Sequence, residues 1–248
     1  MKIRDIMDFW QQKAPLETAE EWDNPGLLAG DPDAEVTGVL TALDITPQAV
    51  EAATKAGANL IISHHPVIFS PLRRLAFDGV PCRLVRHGIA ALCLHTNLDK
   101  ADGGVNDALI ARLGWPKGVV AEDGLCRVVT LPQAVEPNEL AQAVSSALGG
   151  AVRVHAGDHP VRRIAVCSGG GGEDVLALAE RVDGVLTGEI RHHEWLELAA
   201  AGVTALDAGH YATEIMAADA LAAATGAAFP MLAVTAFAQD PPYKTITE

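Results

Sequence analysis

Asn59-Leu60-Ile61-Ile62-Ser63-His64-His65-Pro66 is the stretch on which the reading of this chain turns. Residues 59–62 read as a buried strand, with β-branched Ile61 and Ile62 at its centre. Pro66 has no N–H to give to a ladder, so the chain is expected to leave the sheet there. His64 and His65 then stand at the C-terminal edge of a strand, where open α/β sheets hold their ligands. Neighbouring side chains of extended chain point apart. Two metal ions side by side suit such a pair better than one ion does. A pair of loop histidines with no ligand role is the competing reading.

The surroundings of this stretch specify an α/β pattern. Ile3, Ile6, Met7 and Trp10 recur at helical spacing and predict a first amphipathic helix that ends before Pro15. Trp22-Asp23-Asn24-Pro25-Gly26-Leu27 reads as a turn rich in breakers. A strand is expected over 36–43, then a helix with Thr46 as N-cap, Pro47 at its first position and Gly57 as its stop. Beyond the histidine pair come a loop, a helix near 82–87 and a strand over 89–94. That strand leads into His95-Thr96-Asn97-Leu98-Asp99. Strands alternating with helices are the signature of a parallel sheet.

The second half repeats the plan. A strand over 163–167 meets Ser168 and the glycines Gly169 to Gly172, which turn into a helix over 173–181. A strand over 184–186 ends in Thr187-Gly188-Glu189-Ile190-Arg191-His192-His193, and a helix follows over 195–201. A strand over 202–206 ends in Asp207-Ala208-Gly209-His210. From Val39 to His64 is 25 residues, and from Ile164 to Glu189 is also 25. His95 has Asp99 four positions on, and His210 has Glu214 four positions on. These matches point to an internal duplication, with chance similarity of two alternating halves as the competing reading. Between the halves, 126–131 reads as a strand and 136–148 as a helix, punctuated by Pro132, Pro137 and Gly149-Gly150. A helix opened near Thr213 continues through 217–224, and 231–237 suits a last strand. The expected fold class is therefore α/β: two similar, interlocked units with mostly parallel sheets flanked by helices. The units are expected at 1–125 and 126–248, with the C-terminal segment packing back on the first.

Composition bounds the function. The chain has 248 residues, 49% of them hydrophobic, enough for a sizeable core. Its formal net charge is −14, from 32 acidic against 18 basic residues, which argues against a broad nucleic-acid footprint. Aromatics are only 4%, too few for a base-stacking platform. Cys82, Cys93, Cys126 and Cys167 include no C-x-x-C pair, so a reduced, cytoplasmic setting is expected rather than a disulfide framework. The first residues lack the apolar centre of a signal peptide, and no apolar run is long enough to span a bilayer.

Metal-capable side chains gather at the expected strand ends: His64, His65, His95, Asp99, Glu189, His192, His193, His210 and Glu214. Imidazole with carboxylate suits Zn, Fe, Mn, Co or Ni better than Ca. His210 and Glu214 share one face if they open a helix, and His95 and Asp99 do so only if a turn forms there. Two ions about 3.5–4 Å apart bridge a water and make it a nucleophile at neutral pH. His87, His155 and His159 read instead as solvated side chains. The glycine loop before 173 reads as a tight turn. A phosphate cradle is the alternative, but the loop has neither the P-loop lysine nor the full G-x-G-x-x-G spacing.

Taken together, Trp22-Asp23-Asn24-Pro25-Gly26-Leu27, the pair His64-His65 with Pro66, His95-Thr96-Asn97-Leu98-Asp99 followed by Gly103-Gly104-Val105-Asn106-Asp107, and Gly209-His210 with Glu214 resemble the Nif-three-like dinuclear metal family. Bacterial members carry the label GTP cyclohydrolase I type 2 homologue. The resemblance runs almost from end to end. It implies that His64, His65, Asp99, His210 and Glu214 hold two divalent ions. Thr187-Gly188-Glu189 and His193 resemble an element lining the cavity, and His95 and His193 are expected to act in catalysis beside the ions. The resemblance also implies a ring-like homohexamer and, from the short 126–160 connection, the version without an inserted domain. The function expected is a metal-dependent hydrolase acting on a nucleotide or related small molecule through a metal-bridged water. A non-enzymatic regulatory protein or a metal chaperone with the same two-metal site is the alternative.

Overall fold

Leu60–Ser63 is a strand buried at every position, as a continuous apolar run is when both faces of a parallel sheet are covered. Val39–Ala42 pairs with it on one side and Ala90–Cys93 on the other, both parallel, with Leu40 opposite Ile61 and Ile61 opposite Ala91. Val234–Ala236 adds in parallel beyond Val39–Ala42, and Gly26–Ala29 runs antiparallel against Ala90–Cys93. The result is a five-stranded sheet. The computed structural model describes residues 1–244 and 246.

The connecting helices start and stop where local chemistry dictates. In Pro47–Ala56 the Thr46 hydroxyl accepts a hydrogen bond from the Ala49 N–H at 3.2 Å, and Gly57 ends the helix at φ 69°. A left-handed residue there suits glycine, which has no β-carbon to clash. Val80–His87 ends the same way at Gly88. Leu40, Ala42, Ala49, Val50, Ala53, Ile61, Leu84 and Ala91 form one buried cluster between this layer and the sheet. Each fully buried Leu, Ile or Val contributes about 1.5–3 kcal/mol.

A second, six-stranded sheet is built around the parallel strands Val161–Val166, Gly184–Thr187 and Thr204–Asp207. Arg153–His155 runs antiparallel against Thr204–Asp207. Each sheet thus contains a run of three parallel strands with an antiparallel strand laid against the third, and the first sheet adds a fourth parallel strand, Val234–Ala236. The strand registers correspond as well. Val39 faces Leu60 and Leu60 faces Ala90, while Ile164 faces Gly184 and Gly184 faces Thr204. Counted from these partners, His65 matches Glu189, and His95 matches Gly209 rather than His210. The expected equivalence of His95/Asp99 with His210/Glu214 is therefore off by one position. His95 is the N-cap of the short helix Thr96–Lys100, whereas His210 is the first residue of the helix His210–Glu214.

Two compact units emerge: Met1–Gly104 with Met216–Asp240, and Val105–Ile215 with Pro241–Glu248. The break falls at Gly104, earlier than the 125/126 boundary expected from sequence. The helix Val105–Arg112 belongs to the second unit because of what its polar residues hold. Asn106 donates from Nδ2 to the Leu125 carbonyl and accepts the Ser168 N–H, and Asp107 pairs with buried Arg127 at 3.1 Å. Some expected boundaries also shift. The strand begun at Arg127 runs to Val135, straight through Pro132. Proline is tolerated there because the pairing with Val161–Val166 lapses between Thr130 and Val135. His192 and His193 are not a strand tail; they open the helix His192–Ala200. The helix after the glycine loop is short, Gly172–Leu176, followed by a 3-10 turn over Ala179–Arg181. The metal-capable strand ends belong to two sheets, not to one shared edge.

Candidate metal centre

In the first unit the ladder carries on past the strand ends and fixes the backbone of the histidine pair. The His64 N–H donates to the Ala42 carbonyl at 3.1 Å, the His65 N–H to the Leu43 carbonyl at 2.9 Å, and the Leu94 N–H to the Ser63 carbonyl at 2.9 Å. The Ser63 hydroxyl donates to the His65 carbonyl and the Cys93 thiol to the His64 carbonyl. Burial, reinforced by the nearby charges of Asp23 and Asp99, pushes the Cys93 thiol well above its usual range. That favours the protonated thiol, which donates to the His64 carbonyl.

Each of the three histidines here turns its Nδ1 toward a group of the protein. His64 Nδ1 meets the Leu94 carbonyl at 3.0 Å, His65 Nδ1 meets Asp44 Oδ1 at 2.8 Å, and His95 Nδ1 meets Asp23 Oδ1 at 2.7 Å. A carbonyl or an ionised carboxylate only accepts, so Nδ1 carries a proton in all three, and Nε2 is the nitrogen each neutral ring would offer to a metal. Histidines that ligate metal are held in this way, by an acceptor on the nitrogen that does not ligate. The rings gather closely, with centroids 5.1 Å apart for His64 and His65, 5.2 Å for His64 and His95, and 5.6 Å for His65 and His95. One potential ligand atom from each lies within 4.8 Å of the other two. His64 Nε2 is 3.6 Å from Asp99 Oδ1. Asp99 reaches this place because the turn on which its role depended does form: its N–H bonds to the His95 carbonyl at 3.1 Å.

Two of the supporting carboxylates were not singled out from sequence. Asp44 sits just past Val39–Ala42, and its other oxygen accepts from Gln239 Nε2 at 2.6 Å. Asp23 has a fully buried side chain. Burial raises its pKa, but hydrogen bonds from His95, Thr96 and Asn24 and the charge of His95 outweigh that, holding it at about 2. The available signal was position: one aspartate directly after a strand, the other inside the quoted Trp22-Asp23-Asn24-Pro25 motif.

The second unit presents a different donor set. His210 Nε2 lies 2.9 Å from Glu214 Oε2, one turn along the same short helix, and His210 Nδ1 lies 3.1 Å from Glu189 Oε1. Glu214 is buried. Glycines let three loops close around these side chains. A β-carbon on Gly188 would lie 2.7 Å from His210 Cα, 2.7 Å from the Gly169 carbonyl oxygen and 2.6 Å from Thr213 Oγ1. The Gly188 N–H bonds to the Gly169 carbonyl, and the Gly169 N–H to Thr213 Oγ1. The glycine run is thus a tight turn packed against His210 and Glu214. His193 stands exposed near the start of its helix, and among the described residues it joins no group of metal-capable side chains.

Fold and donors define an α/β protein with two similarly built sheets and with groups of histidine and carboxylate side chains that could hold metal ions. The chain belongs to the Duf34/NIF3 (NGG1p interacting factor 3) family, which matches residues 1–241. It is 38% identical over 223 residues to a GTP cyclohydrolase 1 type 2 homolog of Lactococcus lactis, covering 85% of this chain and 86% of the relative. A protein of the same name from Clostridium perfringens is 32% identical over 229 residues, covering 86% and 87%. The crystal structure of Staphylococcus aureus hypothetical protein SA1388 superposes with a TM-score of 0.91 at 30% identity, over 99% of each chain. Among the described residues no helix is long and apolar enough to cross a membrane.

Proposed function

We propose that the chain is a dinuclear metal-dependent hydrolase of a nucleotide or related small molecule. His64, His65 and Asp99 of the first unit, with His210 and Glu214 of the second, would hold two divalent ions drawn from Zn, Fe, Mn, Co or Ni. The observation that carries this reading is the common orientation of three histidines, each with Nδ1 anchored on an acceptor. Such a donor set fits borderline transition metals. When bound, the ions would supply a water acidic enough to act as a nucleophile at neutral pH.

The chain's own residues have separable tasks. Asp44 and the Leu94 carbonyl orient His65 and His64. Asp23 orients His95, whose Nε2 is then available to accept or return a proton. The grouping of His95 with His64 and His65 favours a second role for it, as a further ligand. Metal content of His95→Ala separates the two: a proton carrier leaves it unchanged, a ligand lowers it. His193 remains a proposed catalytic group on the family resemblance alone.

A homohexamer in a reducing, cytoplasmic setting completes the proposal. Large apolar side chains exposed in the first unit support an assembly, among them Trp22, Phe69, Leu75 and Phe77. The four cysteines, all thiols, suit the compartment. The deciding experiment is metal analysis of the purified protein followed by a hydrolysis screen with and without chelator. Chelator-sensitive turnover supports the proposal. Stoichiometric metal with no turnover of any substrate class would instead identify a regulatory or metal-carrying protein.

A further inference from the structure

A cavity of about 1000 Å³ opens in the second unit, with Glu189 and His210 in its wall. That is the size of a site for a small molecule. The chain as a whole is acidic, at −14, yet two cations line this cavity, Arg153 and Lys244. Both carboxylates in the wall already have protein donors. Glu189 takes His210 Nδ1 at 3.1 Å. Asp207 accepts the N–H groups of Ile190 and Gly209 and pairs with the Arg153 guanidinium.

That last pair fixes how the guanidinium is held. Asp207 is buried while Arg153 is 66% exposed. A buried carboxylate therefore holds an arginine by one nitrogen, with the Trp195 ring 5.8 Å from the guanidinium, and leaves the rest of its planar fork exposed. A guanidinium has five N–H donors, and a positioned one recognises phosphate or carboxylate in a two-pronged grip. Lys244 forms no ion pair among the described residues, so its ammonium adds a second, adaptable charge. Asp207 also ends the strand that delivers His210 three residues later. That chain segment spans at most about 10 Å, so the imidazole and the carboxylate that holds the guanidinium belong to one short stretch of the cavity wall. Tyr211 and Tyr243 add aromatic surface to the cavity wall.

We propose that this cavity receives a small molecule bearing a compact oxyanion, phosphate or carboxylate, with that group held by Arg153 and Lys244 and the opposite end presented to His210. The assignment rests on the hydrolase reading for its purpose, but not for its test. Calorimetric titration of the full, chelator-treated chain with phenyl phosphate, benzoate and the neutral control phenol measures the subsite with no metal to bind the anion. Saturable binding of phenyl phosphate or benzoate, with phenol far weaker, is expected, and the tighter of the two assigns the oxyanion. Lys244→Ala, an exposed change that leaves the fold intact, should weaken binding about 10-fold. Arg153→Lys, which keeps a charge for Asp207 but loses the fork, should weaken it at least as much. The proposal is overturned if neither oxyanion saturates, or if both variants bind as the parent does while circular dichroism shows them folded. Oxyanion binding without any chelator-sensitive turnover would sink the hydrolase reading and leave the subsite standing. Turnover indifferent to both variants would do the reverse.

Discussion

Gly169 and Glu214 are packed so closely that a β-carbon on the glycine would lie 1.9 Å from Glu214 Oε1 and 3.2 Å from His210 Nε2. The glycine is also left-handed, at φ 61°. Two separate demands, backbone conformation and room for a buried carboxylate, thus fall on one residue.

The two demands can be told apart by mutation. Gly57 is left-handed at φ 69° with nothing within 4 Å of an added β-carbon. Gly57→Ala should cost only the backbone strain, about 1 kcal/mol or somewhat more. Gly169→Ala should cost more, because Glu214 and His210 must also move, and should lower metal content where Gly57→Ala does not. Urea denaturation and metal analysis of both variants test this. Equal stability loss with equal metal content would remove Gly169 from the site.

Asp44 orients His65 from a half-exposed position, so its loss should spare the fold. Asp44→Ala is expected to weaken metal affinity about 10–100-fold, the usual effect of removing a carboxylate behind a ligating histidine. Gln239→Ala, which removes a hydrogen-bond partner of Asp44 and leaves the carboxylate on His65, should have a smaller effect. Competition with a chelator of known affinity ranks the three proteins. An Asp44→Ala affinity equal to the parent's would count against His65 as a ligand.

A pH-dependent contribution to stability arises away from the site. Asp183 accepts the N–H groups of Arg162 and Arg163 at 2.8 and 2.7 Å. Burial raises its pKa, but those two hydrogen bonds and His159 outweigh the burial and lower it below the ordinary carboxylate value. A depressed folded pKa stabilises above the unfolded value, near about 3.9, and the benefit is lost as pH falls through the folded one. Asp183→Ala should therefore destabilise the protein at pH 7, by about 1 kcal/mol or less because solvent screens this partly exposed carboxylate. The gap between variant and parent should narrow in acid, as denaturation midpoints at pH 7 and pH 3 will show. A gap that is constant across that range contradicts the assignment.

The exposed apolar side chains of the first unit carry the assembly prediction. Phe77 is 68% and Leu75 70% exposed, and burying such residues between copies is the usual reason to keep them on a surface. Light scattering should return a mass well above the 25.9 kDa of one chain. Leu75→Ser with Phe77→Ser should shift the assembly toward smaller species. A parent protein that is monomeric at micromolar concentration refutes the proposal.

What the sequence made legible was whatever depends on local periodicity and on breakers. Ile61 and Ile62 announced a buried parallel strand, Thr46-Pro47 and Gly57 bracketed a helix, and the two halves could be laid side by side. What stayed hidden depends on contacts made across the chain. Gly26–Ala29 reads locally as part of a turn and becomes a strand only because Ala90–Cys93 offers it an edge. Asp23 and Asp44 look like ordinary acidic residues until folding sets histidines 72 and 21 positions away against them. The one-residue offset between His95 and His210 could not be seen before the strand registers were known.

The Trp22 ring lies edge-on to the His95 ring at 6.1 Å and is itself 60% exposed. It sits beside Asp23, the residue that anchors that imidazole. The protein thereby carries its own optical probe at the edge of its histidine group. Indole emission is sensitive to the charge of an adjacent imidazole and to nearby open-shell ions, so loading, stripping and protonation of this corner can be followed by fluorescence without any attached dye. Of the four tryptophans in the chain, Trp22 is the one to retain in a single-tryptophan variant made for that purpose.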